Sequence, residues 1–353
     1  MLKVEIVDDY GTDEIDAFLL SDSRSLVYSS RHYIELITRE TASTAHWITV
    51  RDGVGLRGVL PLLIKRGALG PVVNSLAYYG SNGGVVTKGE DTEAKVAAIG
   101  AFAEFCEHVD ASASTLITNP LLGDQALYET HLPHNLRDER IGQFTVFPVD
   151  RQANSLMNLF DDPRPRNIRK AQRSGVEVTV SQSTDAIAFL HATHDLNIKS
   201  IGGLPKRLAF FERIPDLLPA DGWKIYLANH DGKRIAALLL LYYNQTVEYY
   251  TPCVVEEYRT LQALPIMIYQ AMIDAMNIGY SRWNWGGTWI TQDGVYAFKK
   301  KWGTVDIPYH YFTRLRSSAV QFATRDILLR EYPGFFVLPF SALKSIEAHQ
   351  EIT

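Results

Sequence analysis

The chain has 353 residues, 46% hydrophobic and 21% charged, with a formal net charge of −5. That balance excludes intrinsic disorder as the main state and predicts about two domains, each able to bury a core. The longest unbroken apolar run, Ile235 to Tyr243, covers nine residues, about half of a membrane span, and charges occupy residues 1–9, where a signal peptide needs its apolar stretch. Cys106 and Cys253 supply neither a disulfide framework nor a metal-type pair. The expectation is a cytoplasmic protein without a metal site or a membrane span.

Elements alternate along the chain. Residues 3–7 read as a strand, and 13–20 and 32–40 as helices. Apolar runs at 46–50 and 56–64 flank Arg51-Asp52-Gly53, a hairpin signal. Residues 75–79 read as a strand, 92–109 as a helix, 115–118 as a strand stopped by Asn119-Pro120, and 131–150 as the closing segment. The order then recurs. Helices are expected at 164–174, 184–199 and 205–217, strands at 223–229 and 234–243 around His230-Asp231-Gly232, then a strand at 246–253, a helix at 264–278, and strands at 282–285 and 306–314. Trp47 and Asp52-Gly53 answer Trp223 and Asp231-Gly232, and Tyr78-Tyr79 answer Tyr249-Tyr250. A repeated order of hairpin, strand, helix and strand points to a duplicated α/β unit. Expected boundaries are 1–150, 151–316 and a tail, 317–353, returning to the first domain, with a groove between the domains as the default ligand site.

Charge is unevenly distributed. Residues 1–150 carry 12 basic and 21 acidic residues, whereas residues 151–353 carry 23 and 19. The positive excess concentrates in residues 151–173 and 281–316, each with six basic and two acidic residues. A weakly acidic chain with two basic segments suits a specific anion better than general coating of a polyanion. In the first segment Arg166, Arg169, Lys170 and Arg173 form one helical stripe. Their mutual repulsion would be relieved by phosphate, which arginine forks match; a solvated helix face is the other reading. In the second segment, Phe298 and Trp302 bracket Lys299-Lys300-Lys301, shortly after Trp285-Gly286. Cations beside stacking rings suit a nucleotide or an RNA 3′ end, and a lysine beside a reacting carbonyl stabilises an oxyanion; a lysine-guarded edge strand is the alternative.

Other signals are weaker. No Walker A loop, Gly-x-Gly-x-x-Gly, His-Glu-x-x-His, Gly-x-Ser-x-Gly or Cys-x-x-Cys is present. His191-x-x-His194-Asp195 has metal-ligand types but no third ligand in view. Cys253 reads as packing rather than as a nucleophile, and Gly80-Ser-Asn-Gly-Gly84 as a turn rather than an anion cradle.

The segments Arg166-Asn-Ile-Arg-Lys-Ala-Gln-Arg-Ser-Gly175, Trp285-Gly286, Phe298-Lys299 and Trp302-Gly303, together with Gly58-Val-Leu-Pro61 and Tyr249-Tyr250, resemble the Fem-type aminoacyltransferases and related GNAT-like (BioF2-like) acetyltransferases. The resemblance implies two tandem GNAT-like α/β domains, each a mixed, mostly antiparallel sheet flanked by helices. It also implies acyl or aminoacyl transfer to an amine, with aminoacyl-tRNA as donor and a nucleotide-linked peptidoglycan precursor as acceptor. Lys299 would stabilise the oxyanion. Phe298 and Trp302 would stack on the donor's nucleotide, Trp285 and Tyr249 would also bind substrate, and Arg166, Arg169, Lys170 and Arg173 would hold phosphates. The first-domain helix Tyr33-Ile-Glu-Leu-Ile lacks the basic residue typical of enzymes handling that precursor, and no coiled-coil arm is present. Where an acetyl-CoA enzyme has a glycine-rich pyrophosphate loop, this chain has Arg259-Thr-Leu-Gln-Ala-Leu-Pro265, which disfavours acyl-CoA. No tightly bound cofactor is expected. The alternatives are a GNAT enzyme using acyl-CoA on a polysaccharide or small amine, and a catalytically silent binding protein.

Overall fold

The computed structural model describes residues 1–8, 12–78, 82–289 and 292–339. Contacts divide it into two compact units, Met1–Arg140 with Pro308–Thr353, and Ile141–Ile307. The division falls inside two strands, ten residues before the first expected boundary and nine before the second.

The chain begins with β1 (Lys3–Asp8), α1 (Asp13–Leu20), α2 (Arg31–Thr41), β2 (Thr44–Arg51), β3 (Leu56–Gly67), β4 (Gly70–Asn74) and β5 (Val86–Thr87). It continues with α3 (Thr92–His108), β6 (Ala113–Ile117), α4 (Gln125–His131) and β7 (Leu136–Val146). After the second unit, β13 (Val305–Leu315), α12 (Ser318–Phe322) and α13 (Arg325–Glu331) complete the first. Its strands run in the order β1-β2-β3-β4-β6-β13. All neighbours are antiparallel except β4 and β6, which are parallel over three pairs, Val72–Asn74 against Ala113–Thr115.

One face of this sheet is buried by α3, whose Ala98, Ile99 and Phe102 pack with Ile48, Val50, Leu60 and Leu62. Val72 and Ala113 pack with Val320, Leu328 and Tyr332 of the chain after β13. Tyr332 donates to the Gly70 carbonyl (2.8 Å), and Asn74 exchanges hydrogen bonds with the Phe336 backbone. The strand expected at 75–79 instead occupies 70–74. Leu76 and Ala77 are buried in irregular chain, and apolar content alone does not separate that from a strand.

The second unit contains α5 (Ala153–Asn158), α6 (Arg164–Arg173), β8 (Glu177–Ser181), α7 (Thr184–Ser200), α8 (Leu208–Glu212) and α9 (Ile214–Leu217). There follow β9 (Trp223–His230), β10 (Lys233–Tyr243), β11 (Thr246–Val254), α10 (Ala263–Asn277), β12 (Arg282–Thr288) and α11 (Asp293–Lys300). Its strands run β7-β12-β11-β10-β9-β8. Again one neighbouring pair is parallel and only three residues long, Thr246–Glu248 against Arg282–Asn284. Thus each unit repeats a hairpin, a strand, a helix and a briefly parallel strand. The core joins Tyr226, Leu238 and Leu240 to Met267, Ala271 and Met272 of α10 and to Ile168 and Ala171 of α6.

Two local expectations change. The helix expected at 205–217 is broken into α8 and α9, with Pro215 in the first turn of α9. The lysine-guarded edge strand is instead the helix α11. Asp293 opens it and Lys299 and Lys300 close it, the charge order that complements a helix dipole.

Gly303 follows this helix at φ +66°, where an added Cβ would lie 2.6 Å from the Leu159 carbonyl oxygen. Gly303→Ala is therefore expected to destabilise the protein by about 2–4 kcal/mol, combining left-handed strain with overpacking. Urea unfolding measures it; a loss below about 1 kcal/mol would mean that the 159–160 segment yields freely.

Candidate functional site

The site begins where β11 and β12 part. After Glu248 and Asn284 the two parallel strands share no further pairs, and β12 bulges against β7 between Asn284 and Gly287. The bulge is closed locally: Asn284 Oδ1 accepts from the Gly286 N–H (2.9 Å), with Gly286 at φ +72°. Where two parallel strands part, side chains and ligands can reach the sheet, and here side chains take up the β12 backbone groups of Gly286 and Gly287. In the first unit the corresponding gap is bridged from within. Ser75 donates its N–H to Thr115 O, and its hydroxyl accepts from Ile117 N, both at 2.9 Å.

Aromatic side chains line the open splay. The Tyr249 ring lies 5.0 Å from that of Trp285, and Trp285 lies 5.4 Å from Trp302 and 6.2 Å from Phe298. Trp285 donates to Thr145 Oγ1 (2.9 Å), which donates in turn to the Trp302 carbonyl (2.9 Å). Over this wall sits Arg164, the first residue of α6. Its guanidinium carbon is 4.3 Å from the Phe298 ring centre and 5.4 Å from that of Trp302.

Arg164 is 9% exposed, and no described carboxylate pairs with it. One of its nitrogens donates to the Phe298 carbonyl (3.3 Å), and its Nε is buried without a partner. Burial pulls its pKa below the usual arginine value, although it remains charged. A buried cation without a counter-ion is costly, and Arg164 places one positive charge over the aromatic wall. Burial raises the pKa of Tyr249, with the Arg164 charge opposing, and the phenol stays protonated at neutral pH.

Lys299 enters from α11. It is 7% exposed and donates to Thr288 Oγ1 (2.8 Å), Gly287 O (3.2 Å) and Gly286 O (3.3 Å). Its amine thus clamps the bulged end of β12, and two of its three contacts are long. Burial lowers its pKa from 10.5 to about 8.

The expected site residues divide into two groups. Tyr249, Trp285, Phe298, Trp302 and Lys299 come together around the splay, as just described. Trp302 is wholly buried, and Phe160 packs edge-on to it at 4.9 Å. It therefore forms the back of the wall rather than a face on which a nucleotide can stack, and Trp285, at 2% exposure, does the same. Arg166, Arg169, Lys170 and Arg173 are exposed, on the side of α6 opposite its buried residues Arg164, Ile168 and Ala171. They do not join the aromatic wall. Arg164 is the buried, inward-facing cation that the stripe concealed. Its i, i+4, i+7 spacing with Ile168 and Ala171 is the sequence signal that marks it as inward-facing.

A cavity of about 350 Å³ lies beside the start of α10, lined by Asn197, Cys253, Arg259, Gln262, Leu264 and Pro265 among others. Arg259 is paired with Glu256 (2.7 Å), and Pro265 provides no N–H in the first turn. Burial pushes the Cys253 thiol up to about 12, which makes it inert. His194 Nε2 accepts from Lys206 N (3.2 Å), burial lowers its pKa to about 4, and Asp195 pairs with Lys199 (2.8 Å). Among the described residues no group of three or more ligand side chains is placed to hold a metal, and no helix is long and apolar enough to cross a membrane. Of the Gly80–Gly84 turn, Gly80 and Ser81 lie outside the described residues, as do Phe340 and the rest of the tail.

Residues 165–300 match the acetyltransferase (GNAT) domain family. No curated protein matches the chain by sequence. Among solved structures, the chain resembles that of FemX, with a TM-score of 0.71 at 18% identity over 87% of this chain and 97% of that one. It also resembles L-PGS from Bacillus licheniformis (TM-score 0.57, 14% identity, 94% of this chain and 100% of that one). A tandem GNAT protein from the clavulanic acid biosynthesis pathway gives a TM-score of 0.54 at 13% identity, over 88% of this chain and 98% of that one. Residues 165–300 thus match a GNAT acetyltransferase domain, and the chain as a whole shares its fold with these three structures.

Proposed function

We propose that the protein transfers an aminoacyl or acyl group from an activated ester to an amine, with aminoacyl-tRNA as donor and a nucleotide-linked cell-wall precursor as one acceptor that fits. The observation that carries this reading is the buried, uncompensated Arg164 over Phe298 at the open β11/β12 splay. The acceptor nitrogen attacks the acyl carbon directly. A C–N bond forms, the ester C–O bond breaks, and the leaving oxygen ends with the proton that the amine loses. Arg164 and Lys299 offset the charge developing on the carbonyl oxygen, Lys299 by exchanging one of its long contacts. Tyr249, held neutral, hydrogen-bonds the leaving oxygen. Phe298, half-buried, offers the terminal base of the donor a ring to stack on.

The outer stripe of α6 supplies phosphate contacts beyond the reacting end. Replacing Arg166, Arg169, Lys170 and Arg173 together by serine is expected to flatten the dependence of log K on log salt by about 3 for tRNA binding. Filter binding across a salt series measures the slope, and an unchanged slope removes the stripe from the interface.

A second reading, an acyl-CoA donor, is favoured by one observation, the cavity beside the start of α10. Calorimetric titration with a non-hydrolysable aminoacyl-tRNA and, separately, acetyl-CoA, each at low and moderate salt, decides between them. Salt-sensitive heat with the tRNA alone supports the proposal. Saturable acetyl-CoA binding that survives moderate salt replaces it with the second reading, and no heat with either leaves a silent binding protein.

A further inference from the structure

An open sheet edge in the first unit has the features of a self-association surface. Strand β1 pairs with β2 in an unbroken register from Lys3↔Arg51 to Asp8↔His46 and stands at the end of the strand order, with no second neighbour among the described residues. Native edges are commonly blunted by a bulge, a proline or charged side chains; β1 has neither a proline nor a register shift, and its charges are Lys3, Glu5 and Asp8. Its Val4 and Ile6 are 39% and 44% exposed. They line a groove of about 610 Å³ whose other wall is α3, small and apolar at Val96, Ala97, Gly100 and Ala101 and larger at Glu104, Phe105 and His108.

The pattern of residues 2–6 names the occupant. Leu2-Lys3-Val4-Glu5-Ile6 is complementary to itself in antiparallel orientation about Val4. Val4 meets Val4 of the second copy, Leu2 meets Ile6, and Lys3 meets Glu5 in both directions. The apolar residues fall on the groove side and the charges on the other, because side chains alternate along a strand. Within one chain Lys3 and Glu5 already lie 2.6 Å apart on that second face, so the two copies would bring together a square of alternating charge. Small residues on α3 leave room for close approach above the paired strands.

We infer that β1 pairs antiparallel with β1 of a second copy about Val4, giving a homodimer with a two-fold axis. Sedimentation of the full chain over a concentration series should show a monomer–dimer equilibrium. Lys3→Glu places glutamates opposite Glu5 at two symmetric positions and should raise the dissociation constant about tenfold. The double variant Lys3→Glu/Glu5→Lys restores both cross-copy pairs and should restore the dimer. A Val4→Cys chain should become disulfide-linked under mild oxidation; burial pushes the native thiols Cys106 and Cys253 up to about 12, which leaves them unreactive. A monomer at every concentration overturns the inference. So does a dimer that Lys3→Glu leaves unchanged and that forms no link through the Val4→Cys site.

Discussion

Lys299→Met is expected to lower kcat/KM by about 10²- to 10³-fold, the usual cost of removing one donor from a developing oxyanion. Methionine fills much the same volume, so packing is largely kept, while Gly286 O, Gly287 O and Thr288 Oγ1 lose their donor; that loss costs roughly 1–3 kcal/mol of stability. Two pH profiles separate charge from scaffolding. The wild-type rate should fall as pH rises through about 8, where the buried amine gives up its proton, and this limb should be missing from the residual activity of the variant. The stability effect has the opposite sign. Between about 8 and 10.5 the unfolded chain holds a proton that the folded chain has lost, so Lys299 makes stability rise with pH across that window. Comparing urea midpoints of wild type and variant at neutral pH and near pH 10 isolates this contribution. Turnover within about threefold of wild type would remove Lys299 from the chemistry, since a lost oxyanion donor costs far more.

Arg164→Met is expected to separate function from stability. The buried guanidinium has no described anion and an orphaned Nε. Replacing it with an apolar side chain should leave Tm unchanged or raise it by about 2–4 °C. Activity should fall by about 10²-fold in kcat/KM if that charge faces the reacting carbonyl as proposed. Steady-state kinetics and thermal unfolding on the same preparation test both halves. A variant that loses several degrees yet retains its rate would make Arg164 a structural residue held by its rings and the Phe298 carbonyl.

Physical periodicity explains which parts of the fold were legible. The two Asp-Gly hairpins, α3, α6, α7 and α10 all carry turn chemistry or 3.6-residue spacing strong enough to place them within a few residues. The β3–β4 turn is built on Gly67-Ala-Leu-Gly70, whose middle residues give no polar turn signal, so the strand after it was displaced to the apolar residues 75–79. β8, Glu177–Ser181, alternates Val178 and Val180 with polar residues, a short edge-strand signal that lay between two strong helical patterns. At the site, Phe298, Lys299 and Trp285 were visible because cations and rings cluster in sequence. Arg164 was hidden by the four more exposed cations that follow it. Trp302 illustrates the converse difficulty: a tryptophan beside three lysines reads the same whether its ring faces a ligand or closes a core.

The completion of the first unit by β13, α12 and α13 bears on how the protein is made. Ile141–Ile307 is one continuous stretch and can close soon after it leaves the ribosome. The first unit is begun earlier and finished later: Val72 and Ala113 remain uncovered until Val320, Leu328 and Tyr332 arrive. Synthesis order and folding order are therefore reversed, and the N-terminal unit waits as a half-covered sheet while its neighbour is built. Contacts of such long sequence separation form slowly. Premature termination between Ile307 and Val320 would spare the chain of the second unit yet leave the first unit exposed to aggregation.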